Sequence, residues 1–227
     1  MAYTRGDSKQ IIVGAAALFI ADSPLEYISG TGASAIYSFT GTGTSSLPAF
    51  SVNTSYKDTL ADSADWDSVG YTMNGLELQF QPDFGEVQVD QLLDVAKLYK
   101  QGMQVSMVTG FAEATLDNLV TAIAAKESDK GFSGARLNLS SGEIGDVPVE
   151  RALVAVGPGS GDPTKTGNAA VERIYVANRA LSIENVSVSA KRDTPSMFEV
   201  TFRLLSASNG SYGKIVDRTV GQAPARM

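Results

Sequence analysis

Trp66–Leu92, WDSVGYTMNGLELQFQPDFGEVQVDQL, decides how this chain folds. Leu76, Leu78 and Phe80 alternate with Glu77, Gln79 and Gln81. Beyond Pro82-Asp83-Phe84-Gly85, Val87 and Val89 alternate with Glu86, Gln88 and Asp90. Side chains on a strand point to opposite faces in turn, so this period of two builds one apolar face and one polar face. Proline, aspartate and glycine together make a turn. The expectation is a hairpin closing at Pro82–Gly85, with Glu77, Gln79, Gln81, Glu86, Gln88 and Asp90 on its common polar face.

The same region holds the charge of the molecule. Between Asp58 and Ala96 there are nine carboxylates and no Lys or Arg. Residues 1–57 balance three acids with three bases, and residues 97–227 carry 13 acids against 15 bases. The net charge of −7 therefore originates in this one window. Acid concentrated on strands implies one repulsive sheet surface.

Composition limits what the chain does. With 227 residues, 43% hydrophobic and 19% charged, it has ample material for a core and reads as a folded domain. Cys and His are both absent, which removes thiol chemistry, disulfides, Ser-His-Asp arrangements and the commonest metal ligands. A catalytic site would have to be built from carboxylates, Lys or Tyr. No constellation of that kind is seen, so the expectation is no enzyme, no cofactor and no metal. An acidic chain also lacks the clustered Lys and Arg of a protein that grips nucleic acid.

Outward from the opening stretch, the pattern stays rich in strands. Ile11–Ile20 is a short apolar run after Arg5 and Lys9. Asp7 among the bases, and a run of only ten residues, favour a buried strand over a signal peptide or membrane span. Ser29–Ser63 is rich in Gly, Ser and Thr, with short β-prone runs at Ala35–Thr40 and Ala49–Thr54. It reads as a surface loop or an outward hairpin extension. Tyr99–Gly110 alternates Met103, Val105 and Met107 with Gln104 and Ser106. Further strands are expected at Arg151–Val156, Val171–Ala177, Ser182–Ala190 and Phe198–Ser206, the last placing Glu199, Thr201 and Arg203 opposite its apolar residues. The stretch Tyr212–Met227 reads as a polar tail. One helix is expected over Thr115–Lys126, with Thr115 as N-cap and Leu116, Leu119, Val120 and Ile123 as its apolar stripe. A lone amphipathic helix must lay that stripe on the sheet, giving a mainly β sandwich or barrel with one flanking helix.

Other motifs reduce to ordinary readings. Gly157–Asn168 is glycine-rich but no helical pattern follows it, so it is a turn-rich loop rather than a phosphate cradle. Arg5-Gly6-Asp7 lies in an N-terminal arm, 1–10, and three residues recur by chance. Asp62, Asp65 and Asp67 approach the density of a calcium loop, and Asp83, Glu86 and Asp90 fall short of it. Both groups read as solvated acid.

Order and spacing point further. Asp65-Trp66-x-x-Val69-Gly70-Tyr71-Thr72-x-x-Gly75, the alternating strand, and Val87-x-Val89-Asp90-Gln91 together resemble the major tail tube protein of tailed bacteriophages. Glu113-x-Thr115-x-x-Asn118-Leu119 is similar to that family's helix start. Val13–Ala21 looks like its first strand, and Phe198–Ser206 with Tyr212–Val216 like its closing segment. The resemblance spans nearly the whole chain, departing in the length of Ser29–Ser63.

That resemblance implies a single tail-tube-type domain over 1–227, in a β-sandwich whose inner sheet joins its neighbours into a ring-wide barrel. Hexameric rings would stack into a tube that conducts DNA during ejection. It implies a structural virion protein located in the tail and assembled in the host bacterial cytoplasm. The partners would be further copies of itself, with tape-measure, tail terminator and distal tail proteins. A sheath would join only in a contractile tail, and no membrane is involved. The lumen-facing candidates are then Glu77, Gln79, Gln81, Glu86, Gln88, Asp90, Gln104, Ser106, Glu199 and Thr201. Arg203 fits poorly on such a surface. The arm 1–10, the segment 29–63, the loop 157–168 and the tail 212–227 would serve ring-to-ring contacts. The competing expectation is a monomeric surface-binding β-sandwich of carbohydrate-binding or adhesin type, for which exposed aromatics are the mark.

Overall fold

The computed structural model describes residues 15–31, 35–39, 46–51, 54–88, 94–126, 130–131, 136–139, 148–159, 171–188, 192 and 196–220. In chain order the elements are Ala17–Ala21 (β1), Leu25–Ser29 (β2), Ile36–Phe39 (β3), Tyr56–Ala61 (α1), Asp67–Ser68 (β4), Thr72–Gln88 (β5) and Val95–Phe111 (β6). They continue with Leu116–Ala122 (α2), Lys130–Gly131 (β7), Arg136–Leu137 (β8), Arg151–Pro158 (β9), Val171–Ser182 (β10), Phe198–Leu205 (β11) and Gly213–Thr219 (β12). The fold is mainly β, built on one eight-stranded antiparallel sheet in the order β4-β1-β9-β10-β11-β6-β5, with β12 also paired to β10. No helix among the described residues is long and apolar enough to cross a membrane.

Strand β10 organises the sheet. One edge lies along β9, while the other is shared: Val171–Ala177 pairs with β12 and Arg179–Ser182 with β11. An irregularity between Ala177 and Ala180 marks the change of partner. The sheet curls there, because Leu18 and Ile20 of β1 and Leu153 and Ala155 of β9 share one core with Val105 and Met107 of β6 and Val200 and Phe202 of β11.

The other face of β1, β9 and β10 is buried as well. Phe19, Val154, Ile174 and Val176 pack beneath Leu25, Tyr37, Leu47, Tyr56, Leu60 and Trp66. Burial on both sides explains the near-continuous apolar runs of β1 and β9. It also revises the reading of Ser29–Ser63. The hairpin β2–β3 is present, but together with α1 it lies as a cover on the sheet. Ala49–Ser51 belongs to no strand. Helix α1 was not expected.

Two buried charges fasten this cover. The Glu172 carboxylate accepts hydrogen bonds from Ser55 Oγ and, at 3.1 Å, from the Tyr56 backbone N–H. Arg218 lies 3.2 Å from Glu172, donates to the Ser51 carbonyl at 3.2 Å and to the Thr54 carbonyl, and stacks over Phe50. Burial pushes the Tyr56 phenol pKa upward, partly opposed by the Arg218 charge. A raised folded-state value means stability is complete below the unfolded value of 10.0 and is lost as pH climbs beyond it. The thermal midpoint of the wild type is expected to drop between about pH 9 and about pH 11. In Tyr56→Phe the same scan should be flatter.

Several boundaries moved. Pro82–Gly85 is not a turn: β5 runs through it as one strand paired with β6 on both sides, with a shift of register between Asp83 and Phe84. Proline is tolerated on an edge strand, which β5 is. The expected strand Ser182–Ala190 is absent over Ile183–Val188, because Val171–Ala177 instead runs on to Ser182. The polar tail supplies β12 as far as Thr219. Of Ile11–Ile20, the strand begins at Ala17, and residues 11–14 lie outside the described residues. The arm 1–10, residues 160–168 of the glycine-rich loop, and 221–227 also lie outside them.

Helix α2 is shorter than Thr115–Lys126. Thr115 does cap it, accepting from the Asn118 N–H at 3.2 Å. Val120 is buried and Leu119 packs on the core, but Leu116 is half-buried and Ile123 is exposed. The helix stops at Ala122, and Ala124 at φ 52° turns the chain away. The last member of the stripe has therefore left the helix, and Asn118 and Ala122 take buried places instead.

Candidate functional site: a polar sheet face and a projecting arm

Strands β5, β6 and β11 present one polar face. Their register sets Gln81 beside Gln104, Gln79 beside Ser106 and Arg203, and Glu77 beside Val108 and Thr201. Glu199 lies further along β11, opposite Gly110. The other face of the same strands holds Leu78, Val105, Met107, Val200 and Phe202, all packed in the core. Seven of the ten residues predicted to share a surface are thus gathered: Glu77, Gln79, Gln81, Gln104, Ser106, Glu199 and Thr201.

Glu86 and Gln88 are not among them. With four turn residues between them, Gln81 and Glu86 would have faced the same way. In an uninterrupted strand the alternation carries Glu86 and Gln88 to the side of Leu76 and Leu78. Asp90 lies outside the described residues. Asp83 joins the polar face instead, a placement that strict alternation through Pro82 would have given.

The polar face is linked within itself. Gln79 donates to Glu77 at 3.0 Å, Ser106 contacts the Gln79 amide oxygen at 3.5 Å, and Thr201 donates to Glu184 at 2.9 Å. Arg203 is exposed in the row of Ser106 and Gln79 and forms no ion pair with a described residue. This face therefore carries amides, hydroxyls and acids together with the one guanidinium of Arg203. Among the described residues no three Asp or Glu side chains converge as a metal site.

Beyond the reach of β11, which pairs with β6 only from Val105 to Phe111, the β5–β6 ribbon continues alone. Eight residues of β5 from Gln81 to Gln88 span about 25 Å at 3.3–3.4 Å each. Phe84 and Leu98, diagonal neighbours on one side of this arm, are 55% and 59% exposed. Val87 and Tyr99 are exposed on the other side. Gly85 is buried under Tyr99 and Gln101: a Cβ there would stand 2.6 Å from the tyrosine ring.

At its opposite end the face is anchored by a clasp between two runs that the sequence marked only through the family resemblance. Gly70, at φ 81°, turns the chain so closely past Glu113 that a Cβ would meet its carboxylate at 2.2 Å. Glu113 accepts from the Tyr71 N–H at 2.9 Å. The buried Asn118 amide donates to the Val69 carbonyl at 2.9 Å and the Glu113 carbonyl at 2.8 Å. The run Val69-Gly70-Tyr71 and the run Glu113-x-Thr115-x-x-Asn118 are thus two halves of one joint between β5 and α2. Asn118→Ala strands both carbonyls and is expected to cost about 2–4 kcal/mol in urea denaturation.

Trp66 is buried and donates from its indole N–H to the Ser46 carbonyl at 3.1 Å. No family model matches this chain, and no curated protein matches it in sequence.

Proposed function

We propose that this chain is a tail tube protein, a structural virion subunit of a tailed bacteriophage. Copies would assemble as hexameric rings stacked into a tube, their polar faces lining a lumen that conducts DNA during ejection. One observation carries the reading: Glu77, Gln79, Gln81, Gln104, Ser106, Glu199 and Thr201 lie side by side on β5, β6 and β11, back to back with the core. The duplex carries about one negative charge per 1.7 Å, so a basic lumen would hold it and an acidic, amide-rich one lets it slide. Strand β5 ends the sheet with no neighbour on its outer side among the described strands, and an unpaired long edge suits joining to the next subunit. The joined inner sheets would close into a barrel around the ring.

On this reading the protein is no enzyme and needs no cofactor. Its partners are its own copies, tape-measure, tail terminator and distal tail proteins, and a sheath if the tail contracts. A second reading, a monomeric carbohydrate-binding or adhesin-like module, draws on the exposed Tyr71 and Tyr99 rather than on the buried Trp66. Negative-stain microscopy of the purified chain separates the two. Rings or tubes are expected, and single particles at every concentration and salt would sink the tube reading.

A further inference from the structure

The arm and the cleft at its base are two halves of a contact that one molecule cannot make with itself. Where the ribbon leaves the body, Leu78, Phe80, Met103, Tyr175, Tyr212 and Ile215 line an open apolar groove of about 350 Å³. Its only charged lining residue is Lys214. Tyr212 ties one wall to the other by donating to the Met103 carbonyl at 2.7 Å. The groove stands between β5 and β12, and each of these strands has an unpaired edge among the described strands. About 25 Å of two-stranded ribbon extends beyond it, with Phe84 and Leu98 bare on the same side. A two-stranded ribbon is marginal alone in water, and these side chains gain stability only when covered.

We propose that the Phe84–Leu98 face of the arm docks into this groove on a second copy of the chain. Three features single out a second copy as the occupant. Knob and groove are both apolar and both present on every chain, so each copy satisfies one neighbour and is satisfied by another. The docking side of the arm carries Glu86 across from Leu98 and Lys100 across from Phe84, and seating Glu86 rather than Lys100 against Lys214, the groove's one charge, sets the register of the contact. The free edges of β5 and β12 frame the same opening, so backbone pairing can extend the contact. Such a head-to-tail contact uses two different patches and closes into a ring when its rotation allows. This rests on the tube reading only for the size of the ring, and the contact itself would serve any cyclic assembly.

The test uses the full-length chain with light scattering and microscopy. Phe84→Asp with Leu98→Asp disables the arm, and Ile215→Asp disables the groove. Each is expected to raise the concentration for half-assembly about 100-fold or more. Leu139→Asp, at a more exposed site next to β8 that belongs to neither patch, should assemble as wild type. Because the arm variant keeps its groove and the groove variant keeps its arm, mixing the two should yield a one-to-one complex that grows no further. That complex also proves both variants folded. No complex on mixing, or undiminished assembly of either variant alone, overturns the proposal. Tubes that persist in the arm variant would remove this contact and leave the tube reading standing. A wild type that forms a closed assembly without tubes, lost in the arm variant, would do the reverse.

Discussion

Replacing Glu172 with alanine is expected to destabilise the protein by about 3–5 kcal/mol, the largest loss from any single side chain discussed. The reason lies in what remains. Arg218 is 8% exposed, and without Glu172 its guanidinium has no described carboxylate to neutralise it. Its Nε is within ion-pair distance of Glu172 but makes no hydrogen bond, so the pair already depends on Coulomb attraction more than on directed geometry. Ser55 and the Tyr56 N–H lose their acceptor at the same time. The cover over β9 and β10 is then held by apolar contact alone. Removing both charges together, as Glu172→Met with Arg218→Met, should recover most of the loss, because a buried pair is costly to break and cheap to replace. Urea denaturation of the single and double variants measures both values. A single variant within 1 kcal/mol of wild type, roughly the value of an exposed pair, would show that water reaches the site.

Reversing charge on the polar face should leave the fold intact and change how DNA moves. Glu77 and Glu199 are both exposed and neither supports the core. On the tube reading, Glu77→Lys with Glu199→Lys replaces two negative charges by two positive ones in every copy, repeated around each ring. Cations lining a channel bind phosphate by releasing counterions, an effect that weakens steeply with salt. Particles carrying the double variant are expected to eject DNA about tenfold more slowly at low ionic strength, and to recover as salt rises. Wild-type ejection at low salt would remove these residues from the lumen.

What was visible in the sequence follows from one physical fact: the period of a strand is two, so polar and apolar faces separate without knowledge of their neighbours. Glu77, Gln79 and Gln81 were therefore found, and so were Gln104, Ser106, Glu199 and Thr201 on separate strands. The hairpin at Pro82–Gly85 was misread because turn residues and edge-strand residues overlap. Proline keeps its place where few ladder bonds are required, and Gly85 keeps its own under the Tyr99 ring. The cover was hidden for a different reason. Tyr37, Leu47, Tyr56 and Leu60 are spaced with no period among glycine, serine and threonine, and only the tertiary fold brings them together. Glu172 was unreadable in the same way, since a charge within a strand looks solvated until its guanidinium partner arrives from far along the chain.

Strand β10 also sets a timetable. The half of its edge at Val171–Ala177 is paired only by β12, and the half at Arg179–Ser182 only by β11. Both are synthesised after β10, and β12 after every other described strand. A nascent chain stalled before Gly213 holds an unpaired edge next to a finished one, and contacts between distant segments form slowly. Translation itself delays the closing of the subunit until its final described strand has emerged, so a truncated product is marked by an open edge for capture or degradation.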